Sequence, residues 1–352
     1  MKIAIMGAWN TSSGAAFHSE MIGRTFVEMG HEVKVFTFLP HSFHGFDIVG
    51  KNEEYVTPCF TTFKAEPVEF DPKPFLIADY DYFIVEDLGM LPKNELGKIF
   101  HHIQSKAKTI TVIHDGKLTD DPDFYQFDWD ALIAFDDRYE KFLVTGYDPK
   151  RIHQIPYPAC PMKTGDKAAA RKKLDLPSDK KIVYTFGGAA WLAAKLIPSI
   201  ASLKGDYPVM LLATSKDRRS LELLNAFKDS GIMDIEIREI APDIDELYEY
   251  LYAVDALVVN KPDIGHIVLS STIYQCLGSG CSIIALKSGF TEMFSDSIVS
   301  YKDNKEFIAG LKSIFDDEGT AKKLRTGAEK FIKDNSAEVV TKEFIKLFGK
   351  LK

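Results

Sequence analysis

Residues 255–285 read DALVVNKPDIGHIVLSSTIYQCLGSGCSIIA, and their pattern points to the fold class. Ala256-Leu257-Val258-Val259 is an apolar run too short for a helix and rich in branched residues, as in a buried strand of a parallel sheet. A polar crossing with Pro262 follows. Ser270-Ser271-Thr272 then precede Ile273, Tyr274 and Leu277, as at a helix start, where hydroxyls cap free N–H groups and the first turn's dipole attracts an anion. Gly278 and Gly280 end that helix, and Ser282-Ile283-Ile284-Ala285 reads as a second buried strand. The unit closes as a right-handed βαβ crossover. It predicts an α/β protein with a helix start available to a phosphate at the carboxyl ends of its strands. A capped helix is equally good as plain structure, so the rest of the chain has to decide.

The chain has 352 residues, enough for two domains of ordinary size. Its 45% hydrophobic and 27% charged residues are those of a globular protein, and a net charge of -8 argues against a partner recognised through a nucleic acid backbone. An anionic ligand must therefore be met locally. Cys59, Cys160, Cys276 and Cys281 form no CxxC pair, so they fit a reducing compartment better than a disulfide framework or a zinc site. MKIAIMGAWN reads as a first strand rather than a signal peptide, and no run reaches the ~18 apolar residues of a membrane span. A cytoplasmic location is expected, with a peripheral position at a membrane left open.

Taken in order, Lys2 to Met6 is a strand, and GAWNTSSG (Gly7 to Gly14) is a loop of small and polar residues. It leads into a helix with Phe17, Met21, Phe26 and Met29 on its apolar side. Gly30 stops that helix and 33–38 is the second strand. This loop is not GxGxxG. It allows close backbone approach to a ligand, or it is a tight turn. Residues 41–79, with Pro58, Pro67, Pro72 and Pro74, predict short strands and loops. Strands at 82–85, 109–113 and 131–135 end in polar clusters, Glu86-Asp87, His114-Asp115-Gly116 and Asp136-Asp137, and in a doubly wound sheet such ends hold the chemistry. His114 is a candidate there, against the plainer reading of a turn histidine. Helices are expected at 94–105 and 138–144, and Pro156, Pro158 and Pro161 mark a boundary. The second half repeats the plan: strands at 182–186, 209–213 and 235–238, and helices at 191–203 (carrying Lys195 in its first turns), 218–230 and 245–253. After Ala285, two terminal helices follow. The first has Phe307, Leu311, Ile314 and Phe315 on one face; the last, capped by Ser336, has Val340, Phe344, Leu347 and Phe348.

Several passages together, by their order and spacing over nearly the whole chain, resemble the nucleotide-sugar-dependent glycosyltransferases of the GT-B fold, in particular the large retaining group that includes sucrose and glycogen synthases. MGHEVKVFT, ITVIHDG and LIAFDDRYEKFLVTGYDPKRIHQIPYP carry the likeness in the first half. VYTFGGAAWLAAK, IREIAPDIDELYEYLYAVDALVV and GSGCSIIALKSGFTEMFSD carry it in the second.

The resemblance implies two Rossmann-like, doubly wound parallel-sheet domains facing across a cleft. Residues 1–158 would form the acceptor-side domain and 159–335 the nucleotide-sugar domain, with 336–352 a helix crossing back to the first. It also implies a transferase that moves a hexosyl group from a nucleotide-diphosphate sugar to a carbohydrate or lipid-linked acceptor, with no metal and no cofactor beyond the donor itself. Gly14 and Ala15 stand on the donor-proximal loop. Gly187, Gly188, Lys195 and the amides at Ser270, Ser271 and Thr272 would hold the diphosphate, Gln275 the ribose, and His114 the sugar hydroxyls. The departures fall on the chemistry. Of two glutamates eight positions apart, anchored on Gly280, the second position is Gln275, and the first is Ile267, or His266 or Asp263 if the loop has one extra residue. The arginine of the phosphate loop is Ala189 or Ala190, and Lys195 is one residue out of register. Loss of the arginine removes a bidentate diphosphate clamp. Three readings stay open on the sequence: a glycosyltransferase with His114 and His266 as catalytic candidates, a degenerate relative that binds a sugar nucleotide or a partner subunit without turnover, and a sugar-nucleotide epimerase.

Overall fold

A computed structural model of the chain describes residues 1–42 and 48–351. The chain divides into two compact units: residues 1–158 with 266–268 and 335–352, and residues 159–265 with 269–334.

The first unit opens with β1 (Lys2–Met6), α1 (Gly14–Glu28), β2 (Glu32–Phe38), β3 (Val56–Phe60), α2 (Lys73–Ile77), β4 (Tyr82–Glu86), α3 (Lys93–Gln104), β5 (Lys108–Val112), β6 (Ala131–Ala134), α4 (Asp137–Leu143) and β7 (Ile152–Gln154). The strands form one parallel sheet in the order β3-β2-β1-β4-β5-β6-β7. The chain order therefore reverses between β1 and β4, where loops from neighbouring strands diverge and leave room for a ligand. β3 tolerates Pro58 because it lies at the sheet edge, where a missing N–H breaks no inner ladder. The short-strand expectation for 41–79 also covers residues 43–47, which lie outside the described residues.

The second unit contains α5 (Lys167–Lys173), β8 (Lys181–Phe186), α6 (Ala190–Ala194), α7 (Ile197–Ala201), β9 (Val209–Thr214), α8 (Arg218–Asp229), β10 (Asp234–Arg238), α9 (Ile244–Ala253), β11 (Ala256–Val259), α10 (Ser271–Cys276), β12 (Ile283–Leu286), β13 (Val299–Tyr301), α11 (Asn304–Asp316) and α12 (Glu318–Asn335). Its sheet is also parallel, in the order β10-β9-β8-β11-β12-β13, with the switch between β8 and β11. The βαβ unit read from residues 255–285 is present: β11 and β12 pair in parallel, Leu257 opposite Ile283. The last helix, α13 (Ala337–Leu351), packs on the first unit's α1 and β4. Phe348 stacks on Tyr82 at 4.1 Å and on Phe26 at 5.9 Å, and the Tyr82 hydroxyl donates to the Phe348 carbonyl at 3.1 Å.

Four expectations need correction. The helix expected at 191–203 is broken into α6 and α7, because Pro198 has no N–H for the carbonyl four residues back and its ring crowds that turn. Lys195 thus caps the end of a five-residue helix. On α1 the buried face carries Ala15, His18, Ser19, Ile22, Gly23 and Phe26, while Phe17, Met21 and Met29 are only half-buried. Polar and small residues hide that stripe from a hydrophobicity reading. Where two terminal helices were expected there are three, since α12 buries only Leu324, Ala328 and Ile332. Finally, the edge strand β13 is three residues long with an outward Ser300, too short to show a period. No helix among the described residues is long and apolar enough to cross a membrane.

Candidate active site

In the first unit the switch point is occupied by a buried carboxylate between two histidines. Glu86 is the last residue of β4, and two segments bring histidines to it: α1 supplies His18, and the turn after β5 supplies His114. His18 Nδ1 lies 2.9 Å from Glu86 Oε1, and His114 Nε2 lies 2.8 Å from Glu86 Oε2. His18 and Glu86 are fully buried, whereas the His114 side chain is 14% exposed. Burial alone would push the Glu86 carboxyl up, but the charge and hydrogen bonds of both histidines win and hold it down at about 2. The two rings diverge. Burial lowers the pKa of His18 despite Glu86, and the ring packs among Phe135, Tyr157 and Phe344. For His114, burial is outweighed by the hydrogen bond to Glu86 and by the charges of Glu86, Asp87 and Asp115, so its pKa is raised.

Proton bookkeeping then assigns the roles. An ionised carboxylate only accepts, so His18 Nδ1 and His114 Nε2 must donate. That leaves His18 Nε2 as a buried acceptor without a partner. His114, at the solvent side, is held by one nitrogen and keeps Nδ1 available. The three ligand atoms lie within 4.8 Å of one another, close enough for a metal ion. Their separations are already those of two N–H···O bonds, and an ion bound at ~2.0–2.2 Å would have to displace both shared protons. The donor set suits a proton-bridged triad better than a metal centre. His18 was missed by the sequence reading because a histidine inside an amphipathic helix gives no signal until its partner on another strand is known.

The turn after His114 also holds the 266–268 segment. Ile267 N donates to Gly116 O at 3.1 Å, and a Cβ on Gly116 would lie 1.6 Å from Ile267 O. Only glycine allows that approach. His266 is exposed beside this contact, and its charge acts on the raised pKa of Asp115, whose main cause is burial. Both catalytic candidates thus flank Gly116. Gly14 and Ala15 begin α1, behind the Ser13 cap that accepts from Ala16 N at 3.1 Å, and the Gly14 carbonyl accepts from the Tyr157 hydroxyl at 2.6 Å. The preceding loop is tied down: Trp9 Nε1 donates to Glu53 at 2.8 Å, and Asn10, in the left-handed region at φ 51°, accepts from Arg24 Nη2 at 2.7 Å.

In the second unit, Gly187 and Gly188 follow β8 at the switch point. Gly187 has φ +76°, and a Cβ on either residue would meet nothing within 4 Å. The turn is anchored from below: Gly187 N donates to Thr214 O at 2.9 Å and Ser215 Oγ to Gly187 O at 3.1 Å. Lys195 is exposed, with Nζ 4.9 Å from the Trp191 ring centroid, on a ring that also carries Arg219 at 3.4 Å.

The helix start is not built as expected. α10 has six residues before it tightens into a 3₁₀ turn, so its dipole is small, and Ser270 makes no side-chain cap. Ser270 Oγ is instead fully buried with no partner, because φ -94°, ψ 85° is not the extended geometry of an N-cap. Ser271 and Thr272 are half-buried, and Thr272 Oγ1 accepts from Lys261 Nζ at 3.0 Å. Gln275 is half-buried, with its backbone carbonyl accepting from the Tyr248 hydroxyl at 2.9 Å. Lys261 was missed because a lysine in a polar loop reads as solvated. Burial of its ammonium pushes the pKa down to about 8.

No protein-family model matches the chain. Solved structures match it along their length. A glycosyltransferase from Rickettsia africae ESF-5 superposes with a TM-score of 0.68 at 14% identity, over 99% of this chain and 98% of that one. Sucrose-phosphate synthase from Thermosynechococcus elongatus gives 0.69 at 14%, over 100% and 99%. The pneumococcal O-GlcNAc transferase GtfA, in complex with UDP and GlcNAc, gives 0.67 at 11%, over 100% and 99%. Two parallel-sheet α/β units in this order, matched over whole chains, are the GT-B fold of these glycosyltransferases.

Proposed function

We propose that the protein is a glycosyltransferase that moves a hexosyl group from a nucleotide-diphosphate sugar to a carbohydrate or lipid-linked acceptor. The observation that carries this reading is the open Gly187-Gly188 turn at the second unit's switch point, in a chain whose fold is shared end to end with glycosyltransferases. With no side chain above it, that turn lets the backbone approach a diphosphate, as glycine turns at such crevices do. In this reading Gly187, Gly188 and Lys195 meet the phosphates with the Ser270 to Thr272 segment, and Gln275 faces the ribose. The transition state places negative charge on the departing diphosphate, so fixed donors and a cation there supply the main catalytic effect. His114, locked through Nε2 by Glu86, presents Nδ1 to a sugar hydroxyl, and its ring orientation needs no reorganisation during the reaction. Gly14 and Ala15 form the donor-proximal start of α1, and His266 is the second catalytic candidate. The residues present call for no metal in this scheme.

A second reading, a binding protein without turnover, is favoured by one specific feature: where the resembling enzymes carry two glutamates and an arginine, this chain has Gln275 at the second glutamate position, Ile267 (or His266 or Asp263) at the first, and Ala189 or Ala190 in place of the arginine. Incubation with uridine and guanosine diphosphate sugars, followed by product analysis, separates the readings. Release of nucleoside diphosphate with a new glycoside supports transfer, and an epimerised sugar nucleotide identifies an epimerase. Binding without any product leaves the non-catalytic reading and refutes the proposal.

A further inference from the structure

Lys261 stands in the turn that follows β11, at the carboxyl end of the strand that borders the switch point of the second unit. Among the described residues its ammonium has one hydrogen-bond partner, Thr272 Oγ1 at 3.0 Å, and no carboxylate within ion-pair distance. The Phe290 ring, 5.7 Å away, adds a weak contact. An ammonium has three donors, and a partly buried one left without a counter-charge is costly. The acid nearest in sequence, Asp263, is engaged elsewhere, accepting from Gly289 N at 2.6 Å. Two residues before Thr272, the buried hydroxyl of Ser270 also lacks a partner.

The turn is not free to move the lysine away. Ser288 Oγ donates to the Lys261 carbonyl at 2.8 Å, and Tyr301 OH donates to Asn260 Oδ1 at 2.8 Å. Asn260 Nδ2 in turn donates to Leu192 O at 2.7 Å, tying this turn to the helix that follows Gly187-Gly188. A cation with no counter-charge and a buried hydroxyl with no partner, near a turn tied to the helix that follows the open glycines, are together the complement of an oxyanion.

We propose that Lys261 is the cation that binds the donor's diphosphate, with the hydroxyls of Thr272 and Ser270 beside it. It takes from the β11 turn the role that Ala189 and Ala190 cannot fill in the glycine turn. This rests on the glycosyltransferase reading for the identity of the anion, and on this chain's own geometry for the residue. It also explains how the site works without an arginine: a single point charge replaces a planar fork, so the site holds the phosphates without bidentate geometry.

The test is calorimetric titration of the full chain with uridine diphosphate, guanosine diphosphate and inorganic pyrophosphate. The proteins are the wild type, Lys261→Met, Lys261→Arg and, as a control, Lys204→Ala, a lysine in the connection between α7 and β9 at the other ends of the strands. Loss of a charge-assisted hydrogen bond predicts a roughly ten- to hundredfold weaker diphosphate in Lys261→Met, a smaller loss in Lys261→Arg, and wild-type affinity in the control. Equal affinity of wild type and Lys261→Met for a nucleoside diphosphate overturns the inference and leaves the glycosyltransferase reading standing. Lys261-dependent binding of pyrophosphate with no binding of either nucleotide does the reverse. A wild type that binds none of the three probes overturns both.

Discussion

Lys261→Met should make the ligand-free protein more stable. A lysine whose pKa falls from 10.5 to about 8 on folding carries a charge that the fold disfavours by ~3 kcal/mol, at 1.36 kcal/mol per pKa unit. Methionine removes that charge and keeps most of the stem. It gives up the hydrogen bond to Thr272, worth about 1 kcal/mol. The net gain is ~2 kcal/mol, and for a unit of this size that raises the melting temperature by roughly 4–8 °C. The pH dependence follows from a folded pKa lowered below the unfolded one. Between about pH 8 and 10.5 the unfolded chain holds more protons at this site, so the wild type gains stability as pH rises through that window. The variant lacks this gain, and its advantage at pH 7 should disappear by about pH 10.5. The assay is a set of thermal melts of both proteins from pH 7 to 10.5, in which other titrating groups cancel in the difference. Uridine or guanosine diphosphate should shrink or cancel the variant's advantage: at a hundredfold excess over the wild-type Kd the wild type gains ~2.7 kcal/mol, and a variant that binds ten- to hundredfold more weakly gains only ~0.4–1.4 kcal/mol. A variant that melts at or below the wild type at pH 7, or an advantage that does not change with pH, would refute the reasoning.

Three further outcomes are expected. Glu86→Gln offers two buried imidazole N–H groups one acceptor and one competing donor. It should cost about 3 kcal/mol in denaturant unfolding and remove the stability loss that the wild type shows as pH falls from about 4.5 to 2, the window set by the depressed Glu86 pKa; a cost below about 0.5 kcal/mol would contradict the triad. Gly116→Ala drives a Cβ into the Ile267 carbonyl and should destabilise by ~1–3 kcal/mol while exposing residues 263–268 to limited proteolysis, and an unchanged digest argues against that contact. Lys195→Ala should weaken nucleoside diphosphate binding less than Lys261→Met does, because an exposed lysine is screened by water; calorimetry showing the opposite order would move the anion site toward α6.

The fold class was legible in the sequence because a parallel sheet is written locally. Strands buried on both faces are continuous runs of branched residues, as at 182–186, 209–213 and 256–259, and glycines or capped polar residues separate them from helices of the right length. The glycine turn at Gly187-Gly188 and the polar strand ends at Glu86 and His114 were readable for the same reason, since each lies within a few residues of its strand. The apolar stripe of Val340, Phe344, Leu347 and Phe348 showed that the last helix needs a partner. That its partners are Phe26 and Tyr82, more than 250 residues away, is information that exists only once the chain is packed. The same holds for what carries charge and protons. His18 lies inside a helix and Lys261 inside a loop, and local reading takes both for ordinary solvated or core residues. The tertiary structure alone decided that His18 faces Glu86, that the acid near Lys261 points at Gly289, and that Ser270 caps nothing. Desolvation and unpaired donors are properties of an environment assembled from distant segments, whereas a hydrophobic period belongs to the segment itself.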